Sequence, residues 1–124
     1  MYAFNYVPQT RTLEMRLEGR WTMEEFERFE SAYNAAIREH ARTHPIGLLS
    51  DSREFQVQAQ DVAERFNAIG AGTGGRLAAT AIVAATMLNK MQAERILPQA
   101  NMKVFLDIKE ARDWLADKVA NAPA

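Results

Sequence analysis

The residues with the most evident chemistry lie in the stretch LLSDSREF, residues 48–55. Here the hydroxyls of Ser50 and Ser52 alternate with the carboxylate of Asp51 and the guanidinium of Arg53. The whole cluster is a candidate reactive site at the end of a buried strand. Short polar side chains also bond to nearby backbone amides and end strands for that local reason alone. The local interpretation is the more common one, so the cluster indicates a site only if other polar residues meet it.

A second pattern, GAGTGG at residues 70–75, matches G-x-G-x-x-G letter by letter. In dinucleotide-binding proteins this pattern follows a strand and opens a helix, so that the pyrophosphate meets the helix N-terminus. Here a predicted helix precedes the glycines and a predicted strand follows them. We therefore interpret the segment as a flexible connector, with a ligand lid as the less favoured alternative.

Two histidines, His40 and His44, have the four-residue spacing that places imidazoles on one helical face for metal binding. Pro45 ends the helix around them and no third ligand is near in sequence, so capping of the helix C-terminus is the better interpretation. The chain has zero cysteines and neither a G-x-S-x-G nor an S-x-x-K pattern, which leaves a hydrolytic triad with little support. The sequence predicts a non-enzymatic protein without a metal or a cofactor.

Length and composition predict one globular domain over residues 1–124. The hydrophobic fraction is 48% and the charged fraction 25%, values that are typical of folded domains. A formal net charge of −1 with interspersed signs gives no field that would attract nucleic acid. Because the chain has no signal-peptide pattern, no apolar run of membrane-spanning length and no cysteine, we expect a cytoplasmic protein without a membrane span.

The first third of the chain predicts a hairpin and a helix. Tyr2–Val7 and residues 12–18 each place apolar or aromatic groups at alternate positions, as half-buried strands do. Thr22 and Glu25 form a capping-box pattern at the start of an amphipathic helix. We expect this helix to end near Arg42, because a proline follows it.

The rest of the chain alternates strands with helices. Residues 46–49 predict a short strand buried on both faces. Val62, Phe66 and Ile69 then form a helical stripe. The run LAATAIVAA, residues 77–85, is interpreted as a central strand because two glycines precede it and it contains β-branched residues. A helix over residues 86–97, a strand over residues 102–106 and a final helix, which begins with the capping-box pattern of Asp107 and Glu110, complete the prediction.

The predicted order is β-β-α-β-α-β-α-β-α. A hairpin followed by alternating strands and helices indicates an α/β fold with a mixed sheet, mostly parallel after the hairpin and covered by helices. Ligands bind beyond the carboxyl ends of the parallel strands in such sheets. We expect one ligand or partner face at that edge, consisting of Asp51, Ser52, Arg53, Thr86, Asn89 and Lys90.

The element order and three stretches of sequence resemble the STAS domain, the sulfate-transporter and anti-sigma-factor-antagonist domain, and most nearly its SpoIIAA-like branch of small bacterial proteins. The stretches are LEGRWTMEEFERFESAYNAAI at residues 17–37, IGLLSDSREF at Ile46–Phe55 and VFLDIKEARDWL at residues 104–115. The resemblance covers nearly the whole chain. It implies a SpoIIAA/STAS-like fold and a regulatory domain that binds a partner protein or a second copy of itself as a homodimer.

The resemblance to antagonists also implies a phosphorylatable serine or threonine at the start of the helix after the third strand. Aligning the acid of the family's motif with Asp51 places the acceptor near one of three residues, Ala59, Gln60 or Asp61. None of them has a hydroxyl, and no serine or threonine lies between positions 52 and 73. The usual kinase-driven switch is therefore not expected here, and Ser50 or Ser52 is the side hypothesis for a relocated acceptor.

Two functions from different classes stay open. The first is a regulatory or interaction domain with an exposed, adaptable apolar surface, since thioethers repack easily. Candidates for that surface are Met87, Leu88, Met91, Ile96, Leu97 and Met102. The second is a binder of a small apolar or acyl ligand, in a cavity at the carboxyl ends of the strands near Asp51 and Thr86.

Overall fold

The computed structural model of the chain describes residues 1–71, 75–96 and 101–122. Within these residues, strands and helices follow one another in the predicted order. The strands are β1 (Tyr2–Val7), β2 (Thr12–Gly19), β3 (Ile46–Phe55), β4 (Leu77–Val83) and β5 (Met102–Phe105). The helices are α1 (Met23–His40), α2 (Gln60–Ala71), α3 (Met87–Ile96) and α4 (Ile108–Ala120).

The strands form one sheet in the order β1-β2-β3-β4-β5. β1 pairs antiparallel with β2, and every later pair is parallel. Each parallel connection steps one strand in the same direction, and such crossovers share one hand, so their helices lie on the same face of the sheet. Helices α1, α2 and α3 cover this three-helix face, whereas α4 returns across the opposite face, the α4 face. The mixed sheet covered by helices is thus confirmed.

Phe29 of α1 lies at the centre of the packing on the three-helix face. Its ring centroid is between 5.1 and 6.0 Å from those of Tyr2, Phe4, Trp21, Phe26, Tyr33 and Phe66. These rings come from β1, α1, α2 and the segment between β2 and α1, so one aromatic cluster joins the first strand to two helices. Aromatic pairs at such separations contribute about 0.5–1.5 kcal/mol each beyond the burial of their surface.

β3 is longer than predicted, because it continues through Phe55 and does not end at residue 49. The neighbouring strand β2 supports the added length, since Arg16 lies opposite Asp51 and Glu18 lies opposite Glu54. Two steps along β2 therefore match three steps along β3, which makes a β-bulge. The expected boundary was wrong because polar side chains do not end a strand whose backbone still pairs with a neighbouring strand.

The bulge changes the face that the later residues of β3 meet. Before it, Ser50 points to the three-helix face and Asp51 to the α4 face. Strict alternation would then direct Phe55 to the α4 face. The extra residue returns Phe55 to the three-helix face, where its ring centroid lies 5.1 Å from that of Trp21 and 5.2 Å from that of Phe66.

In each predicted capping box, the side chain of the first residue accepts the expected hydrogen bond from the helix. Thr22 Oγ1 accepts a hydrogen bond from the backbone amide of Glu25 at 3.1 Å, and Asp107 accepts from the amide of Glu110 at 3.2 Å. The Glu25 carboxylate accepts from the terminal ammonium of Met1 at 3.0 Å, which ties the start of β1 to the start of α1.

Other boundaries differ by a few residues. α1 ends at His40, before the predicted Arg42, and β4 ends at Val83, before the predicted position 85. Residues 72–74 of the glycine-rich connector and Leu97, the predicted last residue of the third helix, lie outside the described residues.

Gly47 of β3 lies where α4 crosses the sheet most closely. A Cβ at this position would be 2.8 Å from Val119 Cγ2 and 2.9 Å from Leu115 Cγ. We expect Gly47→Ala to lower the free energy of unfolding by about 1–3 kcal/mol, the usual range for overpacking, as measured by urea unfolding. Adding Val119→Ala should recover part of the loss by removing Cγ2, and strictly additive losses would contradict this explanation.

Candidate functional site

The structure places the six predicted site residues in three different regions. Ser52 points into a cavity on the three-helix face. Asp51 and Arg53 line a depression on the α4 face. Three residues at the start of α3 line neither of these two regions, namely Thr86, Asn89 and Lys90. The six residues are therefore not brought together, and their role as one ligand or partner face stays a prediction.

The cavity on the three-helix face has a volume of about 470 Å³, within the roughly 300–1,000 Å³ of typical small-molecule sites. Its walls come from α1, α2, α3 and four strands, and they include Phe29, Tyr33, Phe66, Ile69, Ile82 and Met102. Five neutral polar residues also line it: Ser50, Ser52, Asn67, Thr80 and Asn101. Among the described lining residues none has a charged side chain. The cavity therefore suits a neutral, mainly apolar molecule with a few hydrogen-bonding groups.

The cavity lies against the face of the sheet, and its position differs from the one expected at the strand ends. Neither Asp51 nor Thr86 lines it. Of the alanines in residues 77–85, Ala79 lines this cavity, but both Ala79 and Ala81 belong to the buried cluster on the α4 face. Space on the three-helix face thus comes from the separation of the helices rather than from small side chains alone.

Two serine hydroxyls provide hydrogen-bonding groups in the cavity wall. Ser50 Oγ and Ser52 Oγ are 3.0 Å apart, because residues two apart on a strand share a face. A nucleophilic serine needs a neighbouring base, and the described lining contains neither a histidine nor a carboxylate. Burial raises the pKa of Tyr33 to about 12, so its phenol is neutral at pH 7. The geometry favours hydrogen bonding over covalent chemistry.

On the α4 face, two arginines each donate hydrogen bonds from two nitrogens to a carboxylate. Arg53 Nε and Nη2 donate to Asp51 at 2.8 and 2.7 Å, and Arg112 Nε and Nη2 donate to Glu14 at 2.9 and 3.0 Å. The hydrogen bond from Arg53 lowers the pKa of Asp51 below its ordinary value. The carboxylates in turn raise the pKa of both arginines. These pairs line a depression of about 300 Å³; the Glu14–Arg112 pair joins β2 to α4, whereas the Asp51–Arg53 pair lies within β3.

The polar residues at the start of α3 make local contacts. Thr86 Oγ1 accepts from the amide of Asn89 at 3.1 Å, as a helix cap does. Lys90 Nζ pairs with Glu94 at 3.0 Å one turn along the helix. Both contacts stabilise the helix itself.

Apolar side chains of α3 are exposed beside these polar groups. The exposed fractions are 57% for Met87, 64% for Leu88 and 47% for Met91, and we call these three residues the α3 apolar surface. Met102, predicted for the same surface, lines the cavity instead. The side chain of Ile96 lies outside the described part of the molecule, as does Leu97. Neither α3 nor another helix in the described ranges is long and apolar enough to cross a membrane.

The two histidines are separated by the end of α1. The His40 ring stacks on that of Tyr6, with centroids 3.9 Å apart, whereas His44 follows the helix and its Nδ1 lies 2.9 Å from Thr43 Oγ1. Within the residues that the structure describes, no three histidine or acidic side chains form a group that could hold a metal ion.

Asp51 offers a test of the α4 face. A lowered pKa means that the folded state favours the ionised carboxylate, so the stabilisation is present above the unfolded value of 3.8 and is lost as the pH falls through the folded value. Because Arg53 is 43% exposed, water screens the pair, and we expect Asp51→Asn to lower the free energy of unfolding at pH 7 by only about 0.5 kcal/mol.

Urea unfolding at pH 7 and at lower pH measures this difference, which should shrink to zero in acid. Glu54→Gln, at an exposed position of the same strand, is the matched control and should change stability by less than about 0.5 kcal/mol at pH 7. A constant difference for Asp51→Asn across the pH range would contradict the assignment.

Comparison with known proteins agrees with this architecture. A family model described as SpoIIAA-like matches residues 12–116. The fold is similar to that of an uncharacterized protein of the DUF3478 family from Shewanella loihica PV-4, whose crystal structure has a SpoIIAA-like fold. The TM-score is 0.73 and the identity 22%, with 93% of this chain and 92% of that chain covered. The chain matches none of the curated proteins compared with it. Because the family model spans most of its length, the chain belongs to the SpoIIAA-like family.

Proposed function

We propose that the protein is a non-enzymatic, regulatory interaction domain that works in the cytoplasm by binding a partner protein. The observation that carries the proposal is the α3 apolar surface, which exposes three large side chains on one short helix. Membership of the SpoIIAA-like family supports it, since such domains typically bind proteins. A chain with zero cysteines is compatible with the reducing conditions of the cytoplasm.

The α3 apolar surface has the composition expected of a small interface. Methionine is enriched at protein interfaces and adapts to different partners because its side chain is unbranched and polarisable. Asn89 and the Lys90–Glu94 ion pair supply polar groups next to it. An apolar centre with a polar rim is the usual arrangement where two proteins meet.

The proposal does not include regulation by phosphorylation at the start of α2. The first turn of α2 contains Asp61, whose carboxylate accepts from the amide of Val62 at 2.8 Å. This acid already supplies a negative charge where a helix N-terminus favours one. Of the two relocated acceptors considered above, Ser50 is buried and Ser52 is half-buried, and both line the cavity, so a kinase would need the cavity to open before reaching Ser50.

The cavity favours a second candidate function, the binding of a small apolar or acyl ligand. Its volume of about 470 Å³ and its uncharged lining support a neutral molecule, and the serine pair offers a hydrogen-bonding point. Ala93 of α3 also lines the cavity, so a ligand there would contact the helix that carries the α3 apolar surface. A ligand of this kind would give the interaction domain a means of regulation.

For the partner, we expect Leu88→Lys with Met91→Lys to reduce partner capture more than tenfold, because two charges would be desolvated in an apolar contact. Gln92→Lys is the matched control, since it adds a charge at an exposed polar position of the same helix. Quantitative affinity capture from the native lysate, followed by binding measurements with the identified partner, provides the readout. Equal binding by the double variant, or a wild-type protein that retains nothing, would count against the proposal.

For the ligand, we expect native mass spectrometry of freshly purified protein to show an added mass of a few hundred daltons, the size that such cavities hold. Ala93→Trp should abolish the added mass by filling the cavity, whereas Gln92→Trp, one residue earlier and exposed, should leave it unchanged. A wild-type spectrum free of added mass would remove support for this function.

A further inference from the structure

β1 is an edge strand with a row of unpaired backbone groups. Within the described residues it pairs with β2 alone. Met1 and Glu18 exchange both backbone hydrogen bonds, at 2.9 and 2.8 Å. In an antiparallel ladder alternate pairs make these bonds, so every second residue of β1 directs its amide and carbonyl away from β2. Those residues are Tyr2, Phe4 and Tyr6.

The sequence of β1 lacks the devices that usually keep an edge strand from pairing. Edges are normally protected by charged side chains, proline or short length. β1 is six residues long, YAFNYV, and has neither a charge nor a proline. At the other edge of the sheet, β5 is only four residues long and contains Lys103. The two edges therefore differ, and β1 is the edge that can pair with a further strand.

The side chains of β1 suit pairing with an identical strand. The aromatic side chains of Tyr2, Phe4 and Tyr6 lie on the three-helix face, packed against the core. The side chains of Ala3 and Asn5 are exposed on the α4 face and are small and uncharged. The strand carries no charge that would repel a copy of itself. Cross-strand aromatic pairs would add stability to the pairing.

The side of α1 above β1 carries small side chains at its middle. Glu25 contacts Met1 at one end of β1, and His40 stacks on Tyr6 at the other. From Glu25, steps of three and four residues reach His40 through Arg28, Ala32 and Ala36, so two small side chains occupy the middle of this side of the helix.

Charged residues near the two ends of this helix side are complementary. Arg28 and Glu39 are exposed about three helical turns apart, and within its own chain Arg28 pairs with Glu24 at 3.0 Å. A two-fold axis turns the second α1 antiparallel, which places Arg28 of one copy beside Glu39 of the other. Small residues at the centre and opposite charges toward the ends are the features of a self-complementary contact.

We propose that two copies of this chain associate by antiparallel pairing of β1 with β1, about a two-fold axis at Phe4, to form one continuous sheet. Phe4 pairs with Phe4 of the second copy and Tyr2 with its Tyr6, giving about six backbone hydrogen bonds. Ala3 then faces Asn5 of the second copy on the α4 face. The inference does not depend on the proposed partner site, because β1 and α3 lie at opposite ends of the sheet.

Charges at positions 3 and 5 test the pairing. Ala3→Lys with Asn5→Lys sets like charges directly opposite each other across the axis, which disfavours the pair. Ala3→Glu with Asn5→Lys differs at one position and sets opposite charges there instead. Both positions are exposed, so both variants should keep the wild-type circular dichroism. Sedimentation velocity should give twice the chain mass for the wild type and the mixed-charge variant, and the single mass for the like-charge variant.

Hydrogen exchange by NMR gives a second readout. The amide of Phe4 should exchange slowly in the wild type and rapidly in the like-charge variant, while the amide of Ala3, bonded to β2, stays protected in both. A wild type of single-chain mass at every concentration would overturn the inference. So would a dimer that persists in the like-charge variant. Because Leu88→Lys with Met91→Lys should leave the dimer intact, loss of partner binding and loss of pairing are separate outcomes.

Discussion

The sheet grows in one direction from β2 to β5, and this constraint determines how the molecule distributes its surfaces. Crossovers of one hand place three helices on the same face, leaving the last helix to cover the other. Three helices spread over the strands do not close completely, and the cavity lies between them. α4 alone packs mainly against β3 and β4, so the hairpin end of its face is occupied by arginine–carboxylate pairs. β1 remains an edge strand of the sheet.

One short segment of β3 serves both faces. Ser50 and Ser52 contribute hydroxyls to the apolar cavity, while Asp51 and Arg53 form an ion pair on the far side. The two halves of this polar cluster therefore have different roles. The Asp51–Arg53 pair is local, as the simpler interpretation holds, since the carboxylate also accepts from the backbone amide of Arg53 at 3.3 Å. The serines lie in the wall of a space large enough for a ligand.

Features with a local cause were predictable from the sequence. Thr22 and Asp107 were identified as caps by residue type, and the strand Leu77–Val83 by its glycine and β-branched context. The bulge in β3 was not predictable, since it depends on the register with β2 rather than on β3 itself. The Glu14–Arg112 pair joins residues 98 positions apart, and no local pattern signals it. The cavity likewise arises from the spacing of helices, although Phe66 and Ile69 in its wall had the periodicity of core residues.

The single extra residue in β3 links the length of this segment to the presence of the bulge. Phe55 belongs to the aromatic cluster because one additional step shifts the phase of the strand after Asp51. A chain shortened by one residue here would keep Phe55 on the three-helix face, because three strictly alternating steps from Asp51 lead to that face without a bulge. Relatives that lack the bulge should therefore be one residue shorter between Asp51 and Phe55, with the aromatic cluster unchanged.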